Sequence, residues 1–196
     1  MAAEKTSIPI VDSHFHLVDL ERFDYYWMQP WMSPLQRSFL PDDFRSASKA
    51  ADVSRGVLVQ AHPSVEESIH LAKLAETHEE IAGVVAWVDL RGERIEETLT
   101  RYASFPVIKA VRDQRAEDRE PDWWLEERTI TGLQSVSRAG FRYDLLMRVP
   151  QLRVVPDLLD RLPEMRWILE HAGKPPVSSG ELKKWRDDLR AIAHGP

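Results

Sequence analysis

Short apolar runs alternate along the chain with segments that repeat apolar residues at helical spacing. Six runs have the length of buried strands, and they cover 8–17, 55–62, 81–90, 107–112, 141–147 and 166–173. Helices are predicted at 42–51, 64–78, 95–102, 131–139, 151–162 and 181–193. Strands that are apolar throughout and alternate with helices are typical of a parallel α/β sheet covered on both faces.

Polar residues stand at the carboxyl ends of the predicted strands. They are His14, His16, Gln60, His62, Asp89, Arg112, Asp144 and His171. No strand leads into a glycine-rich phosphate turn, so a doubly wound nucleotide fold is not favoured. A TIM-type (β/α) barrel keeps its chemistry at this end of its strands, and it is the predicted architecture. A barrel needs eight β/α units and only six are predicted, so we expect one incomplete barrel domain over 1–196.

Two histidines at the end of the first apolar run are the strongest chemical signal. His14 and His16 are two residues apart, which places both side chains on one face of a strand. Two converging imidazoles supply half of a zinc-type site. The alternative is a pair of buried or capping histidines. The chain has no cysteine, so the other ligands of a metal must be His, Asp or Glu.

Composition excludes several classes of protein. A net charge of -6 and a pI near 5.7 argue against binding nucleic acid. Without cysteine there is no disulfide framework and no thiolate metal site. The first residues lack the apolar region of a secretory signal, and no apolar run approaches the roughly 20 residues of a membrane span. We therefore expect a cytoplasmic protein.

Five motifs in colinear order resemble the amidohydrolase superfamily. They are Val-Asp-Ser-His-Phe-His-Leu at 11–17, Phe-Asp-Tyr-Tyr-Trp at 23–27, Gly-Val-Val-Ala-Trp-Val-Asp-Leu at 83–90, Tyr-Asp-Leu-Leu at 143–146 and Glu-His-Ala-Gly-Lys-Pro at 170–175. Within that superfamily they resemble the amidohydrolase-related family 2 and its sugar-lactone hydrolases of the fuconolactonase and rhamnonolactonase type. The resemblance extends over essentially the whole chain.

The resemblance implies a complete (β/α)8 barrel in which His14, His16 and His171 are metal ligands. It also implies a catalytic aspartate on an eighth strand. This sequence ends at Pro196, where family members continue into two further strands. We therefore expect the last two β/α units, and that aspartate, to be lacking here.

Other candidate site residues have two readings each. Arg112 either pairs with a carboxylate of the protein in a salt bridge or binds a substrate carboxylate or lactone carbonyl in a bidentate manner. Asp89 and Asp144 either cap the helices that follow or contact the substrate. Trp27 either packs in the core or stacks on a sugar ring, and Gln60 is expected beside it in the pocket. The pair at 66–67, both glutamates, is predicted to lie on a solvated helix face.

The predicted function is hydrolysis of a small lactone with a divalent metal, zinc in the first place. The metal would polarise the carbonyl and activate water. Activity should fall in acid, with the unperturbed imidazole pKa near ~6.5 as the guide. Two rivals stay open: a metal-assisted decarboxylase of the same superfamily, and a truncated, non-catalytic relative. The expected partner is a small-molecule substrate, and self-association into a homo-oligomer stays open.

Overall fold

The computed structural model describes residues 9–194, in which six parallel strands lie side by side in chain order. The strands are β1 (Ile10–Phe15), β2 (Val53–Val59), β3 (Ile81–Trp87), β4 (Ile108–Arg112), β5 (Arg142–Leu145) and β6 (Trp167–Leu169). The helices are α1 (Pro41–Ala50), α2 (Val65–Ala75), α3 (Ile95–Ala103), α4 (Glu127–Arg138), α5 (Val149–Leu152), α6 (Val155–Arg161) and α7 (Leu182–Ala193). The sheet curls into a partial TIM barrel, which confirms the predicted fold class.

Side chains alternate between the two faces of the sheet, and the register shows which face carries the site. Phe15 pairs with Leu58, and both belong to the main core beneath the helices. Val59, Val85 and Ala110 instead form a small separate layer. Because successive residues point to opposite faces, His14 and His16 lie on the face opposite Phe15. The concave face of the sheet therefore receives the histidines.

Several elements differ from the sequence prediction at their ends. The helix predicted at 151–162 is divided into α5 and α6, because Pro156 lacks an N–H and occupies the start of α6. The last predicted strand is cut to three residues by a turn that begins at Glu170. Helix α4 begins four residues earlier than predicted, at Glu127, after 3-10 turns at Gln114–Asp118 and Pro121–Leu125.

Within residues 9–194, none of the helices has both the length and the apolar character that crossing a membrane requires.

Gly132 lets α4 pack closely against the turn that follows β3. A Cβ atom at this position would lie 2.0 Å from the backbone oxygen of Leu90. We predict that Gly132→Ala lowers the free energy of unfolding by about 1–3 kcal/mol, because α4 must move away from the end of β3. Urea denaturation measures the change. Gln134→Ala, at an exposed position of the same helix, is the control and should change stability little.

The two outer strands of the described sheet each have one strand neighbour, which leaves backbone N–H and C=O groups unpaired along β1 and β6. Apolar side chains are exposed there: Ile10 is 49%, Val11 51% and Ile168 42% accessible. We predict that the 196-residue chain self-associates through these edges. Light scattering after size exclusion should show association that Val11→Lys weakens. Val177→Lys, at a residue 72% exposed outside the sheet, should leave it unchanged. A monodisperse monomer at all concentrations would contradict the prediction.

Candidate active site

His14 and His16 converge at the carboxyl end of β1, as predicted. Their Nε2 atoms are 3.1 Å apart. His16 Nδ1 lies 2.8 Å from the carbonyl oxygen of Val59, the last residue of β2. Since that carbonyl only accepts, His16 carries its proton on Nδ1 and presents the Nε2 lone pair. Strand β2 thus orients the ring of the residue that follows β1.

His171 joins the pair through an unusual turn. The ring centroids of His14 and His171 are 4.8 Å apart. Residues His171, Ala172, Gly173 and Lys174 all have positive φ angles, of 50°, 50°, 70° and 51°. For residues other than glycine, such a conformation costs roughly 1–2 kcal/mol each. The indole Nε1 of Trp185 in α7 donates to the Ala172 carbonyl at 2.7 Å and helps to hold this turn in place.

A buried charge cluster lies directly behind the histidines. Arg112 Nη1 donates to both carboxylate oxygens of Glu170, at 2.8 and 2.7 Å, and Arg112 Nη2 donates to the Gln60 carbonyl at 2.8 Å. The side chains of Arg112 and Glu170 are 5% and 2% exposed. Glu170 Oε1 is also 3.7 Å from His14 Nδ1. Of the two readings of Arg112, the structure shows the salt bridge.

Asp144 belongs to this cluster. Its side chain is buried, and Oδ1 has no hydrogen-bond partner among the described residues. Burial, and then the negative charge of Glu170, raise the pKa of Asp144 well above its ordinary range. The residue that precedes α5 as its cap is Arg148, so the helix-cap reading of Asp144 is wrong.

A pocket of about 300 Å³ opens in front of the cluster. Its wall is made by His16, Trp27, Ala61, Arg112, Gln114, Glu117, Leu146, His171 and Lys174. The Trp27 Nε1 donates to the Ala61 carbonyl at 2.8 Å, which fixes the indole at the edge of the pocket. Lys174 and Glu117 form an ion pair across it. A larger cavity of about 860 Å³ lies between β1 and α1, and its wall includes His16 but neither His14 nor His171.

Four predicted site residues do not line this pocket: His14 and Asp144, which belong to the groups behind it, and Gln60 and Asp89. The Gln60 side chain is fully buried, and neither of its amide atoms has a partner within residues 9–194. Asp89 accepts the Arg91 N–H at 3.1 Å and pairs with Arg115 at 3.2 Å, beside a separate pocket. The helix that follows is capped at Arg94, so Asp89 caps a turn and not the helix.

The donor set suits a divalent cation of the zinc type. Two imidazole Nε2 atoms held 3.1 Å apart are near the spacing of neighbouring ligands in a tetrahedral site with Zn–N distances of about 2.0–2.1 Å. The second ring nitrogen of His16 is fixed by a backbone carbonyl, as is usual for metal-binding histidines. His14, Glu170 and His171 also place one donor atom each within 4.8 Å of one another.

Two glutamates have roles that the sequence analysis did not assign. Glu170 stands next to His171 in a quoted motif, but its partner Arg112 is 58 residues away. Glu67 is fully buried, so the prediction of a solvated helix face is wrong for it. Its carboxylate accepts from the backbone N–H groups of Ala61 and His62 and from the Tyr25 hydroxyl. Burial raises the pKa of Glu67 to about 7.

The chain matches one protein family and is similar to two curated proteins that share a name. A family model described as "Amidohydrolase" matches residues 11–196. Among curated proteins, L-fucono-1,5-lactonase of Burkholderia ambifaria is 25% identical over 186 residues, covering 95% of this chain and 64% of that protein. L-fucono-1,5-lactonase of Burkholderia multivorans is 28% identical over 192 residues, with the same two coverages.

Solved structures agree with these relatives. An amidohydrolase from Burkholderia multivorans with bound zinc has a TM-score of 0.84 at 28% identity, covering 95% of this chain and 66% of that one. A second crystal form of an amidohydrolase from that organism, with bound HEPES, gives 0.85 at 27% identity, covering 95% and 67%. The chain spans 64% of the length of the two curated relatives.

Burial, followed by the positive charge of Arg112, lowers the pKa of both His14 and His16 to about 4. The guide value of ~6.5 taken from unperturbed imidazole is therefore too high for these two rings. We predict that both stay neutral at pH 5.5 in metal-free protein. Histidine NMR spectra recorded from pH 4 to 8, assigned with His14→Ala and His16→Ala, measure this.

The same shifts affect stability. Between pH 6.5 and 4 the unfolded chain binds protons at these histidines that the folded chain does not, so their contribution to stability falls as pH falls. His14→Ala should lose less stability than the wild type over this window in urea denaturation. Protonation of both rings near pH 6.5, with no such difference, would contradict the prediction.

Proposed function

Because the chain belongs to the amidohydrolase family, we propose that it binds and hydrolyses a small sugar lactone at the pocket of His16, Trp27 and His171. The observation that carries the proposal is the convergence of His14, His16 and His171, from the first and last strands of the sheet, behind one pocket. The lactonase names of both Burkholderia relatives support the class of substrate.

The charge of the pocket favours a neutral, hydroxylated lactone. Arg112 is neutralised by Glu170, and Lys174 by Glu117, so neither cation is available to a carboxylate without breaking an ion pair. Polar groups for hydroxyls are supplied by Gln114, Glu117 and Lys174, while the Trp27 ring offers a flat apolar surface to the C–H face of a sugar. A volume of about 300 Å³ is of the size expected for a site that holds a single small ring.

We propose that His14, His16 and His171 hold a divalent cation, for which the bound zinc of the Burkholderia multivorans structure is supporting evidence. When bound, such a cation supplies Lewis-acid polarisation of the lactone carbonyl. The protein residues position the cation and the substrate. Burial keeps the His14 and His16 rings neutral, and the Val59 carbonyl fixes the His16 tautomer. Trp27 orients the sugar ring.

Hydrolysis adds the oxygen of water to the carbonyl carbon, breaks the ring C–O bond and returns a proton to the released oxygen, which yields a hydroxy acid. Some group must accept the proton of the attacking water. Glu117, already paired with Lys174, is the single carboxylate in the pocket wall among residues 9–194. We therefore propose that the 196-residue chain turns over slowly.

The test is proton release from L-fucono-1,5-lactone, beside carbon dioxide release from aromatic carboxylic acids. We expect slow lactone hydrolysis that His14→Ala lowers by about 100-fold or more, since this ring would help to hold the cation that would polarise the lactone carbonyl. His78→Ala is the control, because its ring bonds the Leu74 carbonyl near the end of α2.

Two results would overturn the proposal. Carbon dioxide release from the aromatic acids, with no action on the lactone, would make the protein a decarboxylase. Equal rates for wild type and His14→Ala, at the level of the uncatalysed reaction, would make it a non-catalytic relative.

A further inference from the structure

Glu170 lies on the buried side of the histidines, next to His14 and Arg112, and has no part in the proposed chemistry. It follows β6, is buried, and accepts two hydrogen bonds from Arg112 of β4. Its Oε1 faces His14 Nδ1 at 3.7 Å, which is longer than a hydrogen bond but close enough for electrostatic attraction of an N–H. One carboxylate therefore faces both a guanidinium and the outer nitrogen of a histidine on β1.

The neighbours of His14 explain why this contact matters. Its Nε2 is 3.1 Å from the Nε2 of His16, whose proton is committed to the Val59 carbonyl. If both Nε2 lone pairs are to face a cation, the proton of His14 must sit on Nδ1. The groups around that nitrogen are Glu170, Arg112 behind it, and His171 beside it. Of these three groups, Glu170 carries the negative charge that attracts an N–H most strongly, while the nearby Asp12 carboxylate accepts the backbone N–H of His14.

We propose that Glu170 is a positioning residue that holds the proton of His14 on Nδ1, so that His14 and His16 offer paired Nε2 atoms to a divalent cation. The inference rests on the proposed function in taking the two histidines as metal ligands. In this arrangement Glu170 acts on Nδ1 of His14 and not on the cation, and both of its oxygens also accept hydrogen bonds from Arg112 Nη1. It neutralises Arg112 and orients His14 with the same carboxylate.

The experiment measures binding of Zn²⁺ and Co²⁺ to metal-free protein, without any substrate. We expect Glu170→Gln to weaken the affinity by about 10–100-fold, the usual loss when a partner of a metal-binding histidine is removed. The double variant Arg112→Gln/Glu170→Gln leaves no unpaired charge and guards against misfolding of the single variant. It should stay at least about 10-fold weaker than wild type, because His14 still lacks its carboxylate.

Glu67→Gln is the matched control. Glu67 is as deeply buried as Glu170 and also accepts hydrogen bonds, but they come from three groups outside the charge cluster: Ala61, His62 and Tyr25. This variant should lose stability without losing metal affinity. Nitrogen-15 spectra of the Zn²⁺-loaded wild type add a direct readout, in which His14 must carry its proton on Nδ1 and bind through Nε2.

Each other result overturns the inference. Unchanged affinity in both Glu170 variants removes any role for the carboxylate. Full recovery in the double variant shows that Glu170 only screens Arg112. An equal loss of metal affinity in Glu67→Gln indicates a general loss of structure and no specific role for Glu170. Metal bound through His14 Nδ1 contradicts the stated geometry. If the wild type binds neither metal, the inference fails, whereas metal-free lactone hydrolysis would leave the proposed reaction intact.

Discussion

The buried ion pair between Arg112 and Glu170 is the interaction on which the site depends. It joins the end of β4 to the end of β6, and the second arm of the guanidinium reaches the Gln60 carbonyl after β2. Taking two charges out of water costs several kcal/mol per ion, so the pair adds little net stability. Removing one partner, however, would leave a buried charge without compensation, at a cost of about 3–5 kcal/mol. The pair therefore fixes the relative positions of the ends of β2, β4 and β6.

The chemistry in front of the pair follows from that arrangement. Burial and the nearby guanidinium keep the pKa of His14 and His16 near 4, so the rings are neutral and able to bind a cation over most of the pH range. The carbonyls of Val59 and Gln60, consecutive residues at the end of β2, orient His16 and Arg112 respectively. His171 arrives from the far side on a left-handed turn anchored by Trp185. The backbone strain of that turn is located at the residue that brings an imidazole to the pocket.

The sequence by itself determined the fold class and the outline of the site. Apolar runs of strand length are a local property, and their alternation with helices predicts a parallel sheet without knowledge of any contact. The spacing of His14 and His16 places them together because strands repeat every two residues. Colinear motifs linked His171 and Trp27 to the same site, and the structure brings both to one pocket.

Only the tertiary structure decided which polar residues face the pocket and which form ion pairs or hydrogen bonds that support the fold. Arg112 and Glu170 are 58 residues apart, and no spacing rule connects them. The same holds for Glu67, whose carboxylate binds Tyr25 from 42 residues away. Asp89 lies two residues beyond the end of β3, and it pairs with Arg115 beside another pocket. A residue at a strand end acquires its partner only when the sheet curls, because curvature sets which neighbouring ends lie within hydrogen-bonding distance.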